Sequence, residues 1–135
     1  MSSHRKKRNK AKSSNLVKTL AGNNVQSWTE AKIDDWLYHR GFDFEYEPDV
    51  NIEGIKLKPD WVVLGRGGWK FSSPILIEYW GLLRYENRAQ WLITRLPKYL
   101  ERKTYKESLY QNSKEYYYFG VDPRFKSDIH SQLQL

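Results

Sequence analysis

The sequence predicts an α/β or α+β domain in which helices flank a mixed four-stranded sheet. The first observation is the order of the periodic segments, which is helix, three strands, two helices and one strand. The second is a glycine-rich turn between the second and third strands, which favours an antiparallel pair. The third is the helical crossover before the last strand, which favours parallel pairing of the third and fourth strands.

The first helix and strand have clear boundary signals. Ser27-Trp28-Thr29-Glu30 has the form of a capping box, in which Ser27 caps the helix and Glu30 reaches back to the Ser27 amide. Gly41 is expected to end this helix after residue 40. Apolar and acidic residues then alternate over residues 42–46, which predicts a half-buried strand that ends at Pro48.

Two further strands are expected before the helical crossover. Residues 55–64 predict the second strand, and residues 65–73 predict a turn or hairpin loop containing Gly65-Arg66-Gly67-Gly68. Residues 75–80 are almost continuously apolar, which is typical of a strand in the centre of a sheet.

The second half of the chain is mainly helical. Residues 83–96 predict one helix, and Pro97 is expected to separate it from another helix over residues 98–112. Residues 116–119 predict the fourth strand, and a last short helix is expected after Asp122. The complete order is αβββααβ(α).

Composition limits the class of protein. The chain has 135 residues and no cysteine, which excludes a disulfide framework and a thiolate metal site. Its apolar runs are shorter than the roughly 20 residues that span a bilayer, and no hydrophobic segment follows the basic N-terminus. We therefore expect an intracellular protein without a membrane partner.

The net charge of +7 is concentrated at the N-terminus. Residues 1–25 are rich in Ser, Asn and basic residues and predict a disordered basic arm, whereas residues 26–135 can form one domain. Such an arm suits the phosphate backbone of a nucleic acid, although a solubilising tail or a targeting signal has the same composition. The candidate backbone contacts are Arg5, Lys6, Lys7, Arg8, Lys10 and Lys12.

Two carboxylates lie among apolar strand residues. Asp60 occurs in Lys58-Pro59-Asp60-Trp61, and Glu78 occurs near the end of the third predicted strand. An antiparallel pairing of their strands would bring the two acids together, and buried carboxylates require compensation. Two oxygen ligands with open positions can hold Mg²⁺ or Mn²⁺ beside a phosphate, so these residues predict a metal-dependent phosphodiesterase.

These elements resemble the PD-(D/E)XK nuclease superfamily, whose fold is restriction-endonuclease-like. Pro59-Asp60 is similar to the PD element, Glu78 to the following acid, and Glu30 lies where many members carry another acid on the first helix. The resemblance implies a Mg²⁺-dependent DNA endonuclease in which these three acids bind the metal. Glu30 has the alternative role of a capping-box residue only.

The lysine of the family motif is replaced by Trp80. Ile77-Glu78-Tyr79-Trp80-Gly81 is similar to a branch of the family in which the catalytic lysine has moved to the next helix. By that resemblance Lys106 takes the role of the catalytic lysine, and Lys103 is the alternative. If Lys106 has that role, Lys103 is expected to contact the nucleic acid. Tyr99, Lys103, Lys106 and Tyr110 recur at helical spacing, so they share one helix face.

Two other functions are compatible with these residues. A catalytically inactive nucleic-acid-binding protein of the same fold would also lack the usual lysine, and an accessory domain could recruit a larger assembly through its aromatic surface. The residues do not distinguish DNA from RNA. We expect no separate specificity domain, so base recognition would require the arm, the loop around residues 66–70, or a homodimer.

Overall fold

The structure, a computed structural model, describes residues 16–85 and 90–123. In these two ranges the chain forms two helices, a four-stranded mixed sheet and small hairpins, and neither helix is long and apolar enough to cross a membrane. The elements are β1 (Val17–Lys18), β2 (Asn24–Val25), α1 (Trp28–His39), β3 (Phe42–Tyr46), β4 (Val50–Ile52), β5 (Ile55–Leu57), β6 (Trp61–Arg66), β7 (Trp69–Tyr79), a 3-10 segment (Gly81–Tyr85), α2 (Gln90–Asn112) and β8 (Tyr117–Val121).

The sheet has the strand order β3-β6-β7-β8. β6 pairs antiparallel with both β3 and β7, and β8 pairs parallel with β7. These pairings confirm the predicted hairpin and the predicted parallel fourth strand. A glycine turn, Gly67-Gly68, joins β6 to β7, and both glycines have the positive φ that side chains disfavour.

The two faces of the sheet bury different sets of side chains. On one face, Trp61, Val63 and Ile77 form a core with Ile33 and Leu37 of α1. On the other face, Val62 and Leu76 pack with the small β4–β5 hairpin and with Tyr110 of α2. Because successive strand residues point to opposite faces, Glu78 lies on the α2 side together with Leu76.

The predicted strand over residues 55–64 is wrong in one respect, because the chain forms two strands there. β5 ends at Leu57 and β6 begins at Trp61, with Pro59 between them. Proline lacks the N–H that a continuous ladder requires, so it separates the two strands. β5 instead pairs with β4 across a tight turn at Glu53-Gly54, where both residues have positive φ.

The predicted break at Pro97 is also wrong. α2 continues through Pro97, which lies on the exposed side of the helix. An interior proline costs roughly 3 kcal/mol, and the packing of the rest of α2 against the sheet offsets this local cost. At the predicted start of this region, residues 81–85 form the 3-10 segment, and residues 86–89 lie outside the described ranges.

The described part of the predicted arm over residues 1–25 is folded. β1 pairs with β2, and Val25 is fully buried. The side-chain amide of Asn23 also donates a hydrogen bond to Asp34 Oδ2 of α1 at 2.9 Å. Residues 17–25 therefore belong to the domain. The rest of the predicted arm and the predicted last helix lie outside the described residues.

Candidate active site

Asp60 and Glu78 lie opposite each other at one end of the β6–β7 pair. Trp61 pairs with Ile77, so the antiparallel register places the preceding Asp60 across from the following Glu78. The two carboxyl groups are close enough that, besides burial, the negative charge of Glu78 contributes to raising the pKa of Asp60. The structure thus brings together the two acids that the sequence singled out, and we refer to them as the carboxylate pair.

The protein only partly compensates the negative charge of the carboxylate pair. Asp60 Oδ2 accepts a hydrogen bond from the Tyr79 backbone N–H at 2.7 Å. Burial and the adjacent negative charge of Glu78 nevertheless raise the pKa of Asp60 to about 8 from an ordinary value of 3.8. A carboxyl group whose ionisation is disfavoured by burial and by a neighbouring carboxylate marks a site where a bound cation would be stabilising.

Glu78 receives two hydrogen bonds from α2. Its side chain is buried, and Oε2 accepts one from the Tyr110 hydroxyl at 2.9 Å and a longer one from Lys106 Nζ at 3.5 Å. Burial, followed by the charge of Glu78, raises the pKa of Tyr110, so its hydroxyl remains a donor. The predicted lysine of the helix therefore does lie beside the predicted acid of the strand.

Lys103 has a different environment from Lys106. Its Nζ lies 2.8 Å from Glu107 Oε1 and 5.5 Å from the centre of the Trp80 ring. The ion pair with Glu107, one helical turn away, directs this ammonium group to Glu107 and the Trp80 ring. Of the two candidate lysines, only Lys106 contacts the carboxylate pair.

Trp80 takes part in the same cluster. It is 5% exposed, and its indole N–H donates a hydrogen bond to the Tyr118 hydroxyl at 2.8 Å. Tyr118 in turn donates to Glu107 Oε2 at 2.5 Å, and its ring stacks on Tyr110 at a centroid distance of 5.0 Å. Trp80 is thus part of the packed support for Tyr110.

Glu30 lies near the carboxylate pair without joining it. The Glu30 backbone N–H donates to the Ser27 side chain at 3.1 Å, which confirms the Ser27 half of the capping box. The Glu30 carboxylate accepts a hydrogen bond from the Tyr46 hydroxyl at 2.9 Å. Burial raises the pKa of Glu30, and its own charge adds to the rise in the pKa of Asp60, so the three acids interact electrostatically.

The donor set fits a hard divalent cation with few protein ligands. Among residues 16–85 and 90–123, no group of three or more His, Cys, Asp or Glu side chains is arranged to hold a metal ion. Asp60 and Glu78 alone would supply two carboxylates. Mg²⁺ is commonly held by one or two carboxylates together with water and substrate phosphate, so the pair meets this requirement.

A cavity of about 280 Å³ opens beside Glu30. Glu30, Tyr79 and Tyr99 line it together with Gly81, where an added Cβ would lie 2.6 Å from the Tyr79 ring. Gly81 therefore leaves the Tyr79 ring its space in the wall of the cavity. The cavity gives a small ligand access to the region around Glu30.

Sequence reasoning missed two tyrosines that contact the candidate acids. Tyr46 was identified only as a strand residue, and Tyr110 only as part of a helix face. The alternation over residues 42–46 predicts only that Tyr46 lies on the apolar face of its strand. In the structure this face packs against α1, which carries Glu30, and no local signal pairs the two residues. The predicted backbone contacts Arg5, Lys6, Lys7, Arg8, Lys10 and Lys12 lie outside the described residues.

Comparison with known proteins provides no family assignment. No family model matches the chain, and neither the curated proteins nor the solved structures contain a match.

Proposed function

We propose that this protein is a metal-dependent nuclease of the PD-(D/E)XK type, acting on DNA. The observation that carries the proposal is that three side chains distant in sequence lie together. Asp60 and Glu78 are opposite each other at one end of the β6–β7 pair, and Lys106 Nζ lies 3.5 Å from Glu78 Oε2. The strand order and the helical crossover before β8 support the restriction-endonuclease-like fold.

Asp60 and Glu78 are the residues that would hold Mg²⁺ or Mn²⁺. When bound, the metal ion would polarise a phosphate oxygen and lower the pKa of a water molecule. Lys106 contributes a positive charge beside the pair, where it can offset negative charge on a phosphate in the transition state. Tyr110 orients the Glu78 carboxylate through its hydroxyl, and Glu30 adds further negative charge close to Asp60.

The alternative is a nucleic-acid-binding protein without catalytic activity. The ion pair of Lys106 with Glu78 favours it, because an ammonium group already neutralises part of the carboxylate pair. Two observations favour the nuclease instead. The pKa of Asp60 remains raised despite that ion pair, and the Lys106 contact is long for a charged hydrogen bond.

The test is cleavage of supercoiled plasmid and of matched DNA and RNA oligonucleotides with Mg²⁺, Mn²⁺ or chelator. We expect cutting that requires metal and is abolished in Asp60→Asn and Glu78→Gln, which keep the side-chain shape. Asp49→Asn is the matched control, because Asp49 is 92% exposed at its side chain. Full activity in either site variant, or cutting in chelator, would exclude the proposed metal site. Metal-independent binding without cutting would favour the alternative.

A further inference from the structure

α2 carries a second row of residues beside the row that contacts the carboxylate pair. Arg95, Lys98, Arg102 and Tyr105 recur at spacings of three, four and three, so they lie on one face of the helix. All four are exposed, and Tyr105 retains 54% of its accessible surface. Their neighbours Lys103, Lys106 and Tyr110 make the inward contacts described above.

This exposed row lines a groove of about 1000 Å³, which we call the α2 groove. Leu82 of the 3-10 segment and Tyr99 complete its wall. The same two residues also line the cavity that contains Glu30. The α2 groove therefore adjoins the Glu30 cavity at Leu82 and Tyr99. Burial and, to a lesser extent, the charges of Asp60 and Glu78 raise the pKa of Tyr99, so a ligand lying in the groove would extend toward the candidate active site.

The lining of the α2 groove is suited to an anionic, unpaired strand. Three lining residues are cations and one, Glu101, is an acid, so the groove is positive next to a site rich in carboxylates. The exposed ring of Tyr105 adds an aromatic surface to the same groove. Cations that follow a backbone, combined with an aromatic ring that stacks on bases, form the usual binding surface for single-stranded nucleic acid.

We propose that the α2 groove binds a single-stranded stretch of the nucleic acid whose neighbouring phosphate reaches the carboxylate pair. This inference rests on the proposed function and specifies its substrate as single-stranded, frayed or branched nucleic acid. An aromatic ring stacks only on a base that has left the duplex, which is why the groove favours an unpaired strand. The row from Arg95 to Tyr105 spans about 15 Å at the helical rise, room for roughly four nucleotides at the ~3.4 Å spacing of a stacked strand.

Binding in chelator tests this proposal without requiring cleavage. The probes are a fluorescent oligothymidine and a blunt duplex of the same length, measured by anisotropy over a salt series with the full chain. The groove variant is Lys98→Gln with Arg102→Gln. The matched control is Lys32→Gln with Lys56→Gln, which removes the same charge from exposed positions on α1 and β5.

We expect the groove variant to bind oligothymidine about ten-fold more weakly than the control does, with the salt slope smaller by roughly 0.7 for each phosphate that the variant no longer neutralises. Duplex binding should fall equally in the two double variants. Tyr105→Ala should weaken oligothymidine binding by about five-fold or more. Tyr38→Ala, which removes a 51% exposed tyrosine from α1, should have little effect.

Three results would overturn the proposal: equal losses in the groove and control variants, equal losses for duplex and single strand in the groove variant, or no oligothymidine binding by the wild-type chain. Thermal unfolding of each variant checks that the fold is retained. An inactive protein whose groove variant still loses single-strand binding would reject the nuclease and keep the groove. Normal DNA cleavage together with unchanged oligothymidine binding in the groove variant would reject the groove and keep the nuclease.

Discussion

Tyr110 and Glu78, which are 32 positions apart in the sequence, form a buried hydrogen bond of 2.9 Å from the tyrosine hydroxyl to Glu78 Oε2. Tyr110 is fully buried and belongs to the core between α2 and the sheet. The core of the domain thus extends directly to one member of the carboxylate pair. Packing of α2 and orientation of the candidate metal ligand are coupled through this contact.

Tyr110→Phe removes that hydroxyl and keeps the ring. We expect a loss of about 1–3 kcal/mol in the free energy of unfolding, because Glu78 loses its shorter hydrogen bond. Metal affinity should fall by roughly 10-fold to 100-fold, the usual effect of removing a residue that orients a ligand. Urea unfolding and Mn²⁺ titration measure the two effects. Tyr105→Phe, at an exposed position of the same helix, should change neither quantity.

Lys106→Ala should lower the cleavage rate by roughly 100-fold or more, the scale of one preorganised contact to the transition state. Metal binding and DNA affinity should remain close to wild type. Lys103→Ala should have a much smaller effect on rate, because Lys103 is paired with Glu107. Single-turnover cleavage measures both. A wild-type rate in Lys106→Ala together with an inactive Lys103→Ala would assign the catalytic role to Lys103.

The raised pKa of Asp60 predicts that stability falls with pH. The pKa of Asp60 is about 3.8 in the unfolded chain, and burial and the charge of Glu78 raise it to about 8 in the folded protein. Between these values the folded state binds more protons, so raising the pH from about 4 to about 8 destabilises the metal-free protein. The slope from this one group is at most about 1.4 kcal/mol per pH unit.

Urea unfolding in chelator over this pH range measures the effect. The free energy of unfolding of Asp60→Asn should depend less steeply on pH than that of wild type. The difference between the two slopes gives the contribution of Asp60 separately from that of Glu30, whose pKa is also raised. Asp49→Asn should follow wild type. Millimolar Mg²⁺ should reduce the fall in the wild-type protein, since a bound cation favours the ionised pair. Identical slopes in wild type and Asp60→Asn would contradict the pKa assignment.

Trp80→Lys would place a lysine at the spacing of the PD-(D/E)XK motif that this strand resembles, but we expect it to destabilise the protein and not to rescue Lys106→Ala. Trp80 is 5% exposed and bonded to Tyr118, so the change removes a large buried ring and leaves a charge in its place. A loss of about 3–5 kcal/mol is the scale for deleting a buried aromatic ring. Trp69→Lys is the control, because Trp69 is 83% exposed. Rescue of cleavage by Trp80→Lys would contradict this expectation.

Two N-terminal deletions distinguish the basic arm from the domain. Removing residues 1–15 deletes Arg5, Lys6, Lys7, Arg8, Lys10 and Lys12, which should weaken DNA binding and reduce its salt dependence while stability stays unchanged. Removing residues 1–25 should also destabilise the fold, because it deletes Val25 and the Asn23 hydrogen bond to Asp34. Unchanged salt dependence after the shorter deletion would favour a targeting or solubilising role for the arm.

The sequence by itself determined the elements whose signals are local. The capping residue Ser27 and the strand of alternating aromatics over residues 42–46 were predicted at their observed positions. The glycine turn between β6 and β7 was predicted in the right place, but its predicted range of residues 65–73 is too long, because β6 extends to Arg66 and β7 begins at Trp69. The turn and the apolar pattern together set the antiparallel register, which is why Asp60 and Glu78 could be paired in advance. The helical crossover likewise predicted the parallel β8.

Only the tertiary structure decided how side chains from distant elements meet. Nothing within a few residues of Lys106 indicates that it, and not Lys103, contacts Glu78, or that Glu30 bonds to Tyr46. Those partners are 28 and 16 positions apart, and each contact depends on how a helix rotates and docks on its face of the sheet. Turn chemistry and hydrophobic period act over a few residues, whereas docking is set by the packing of the whole core.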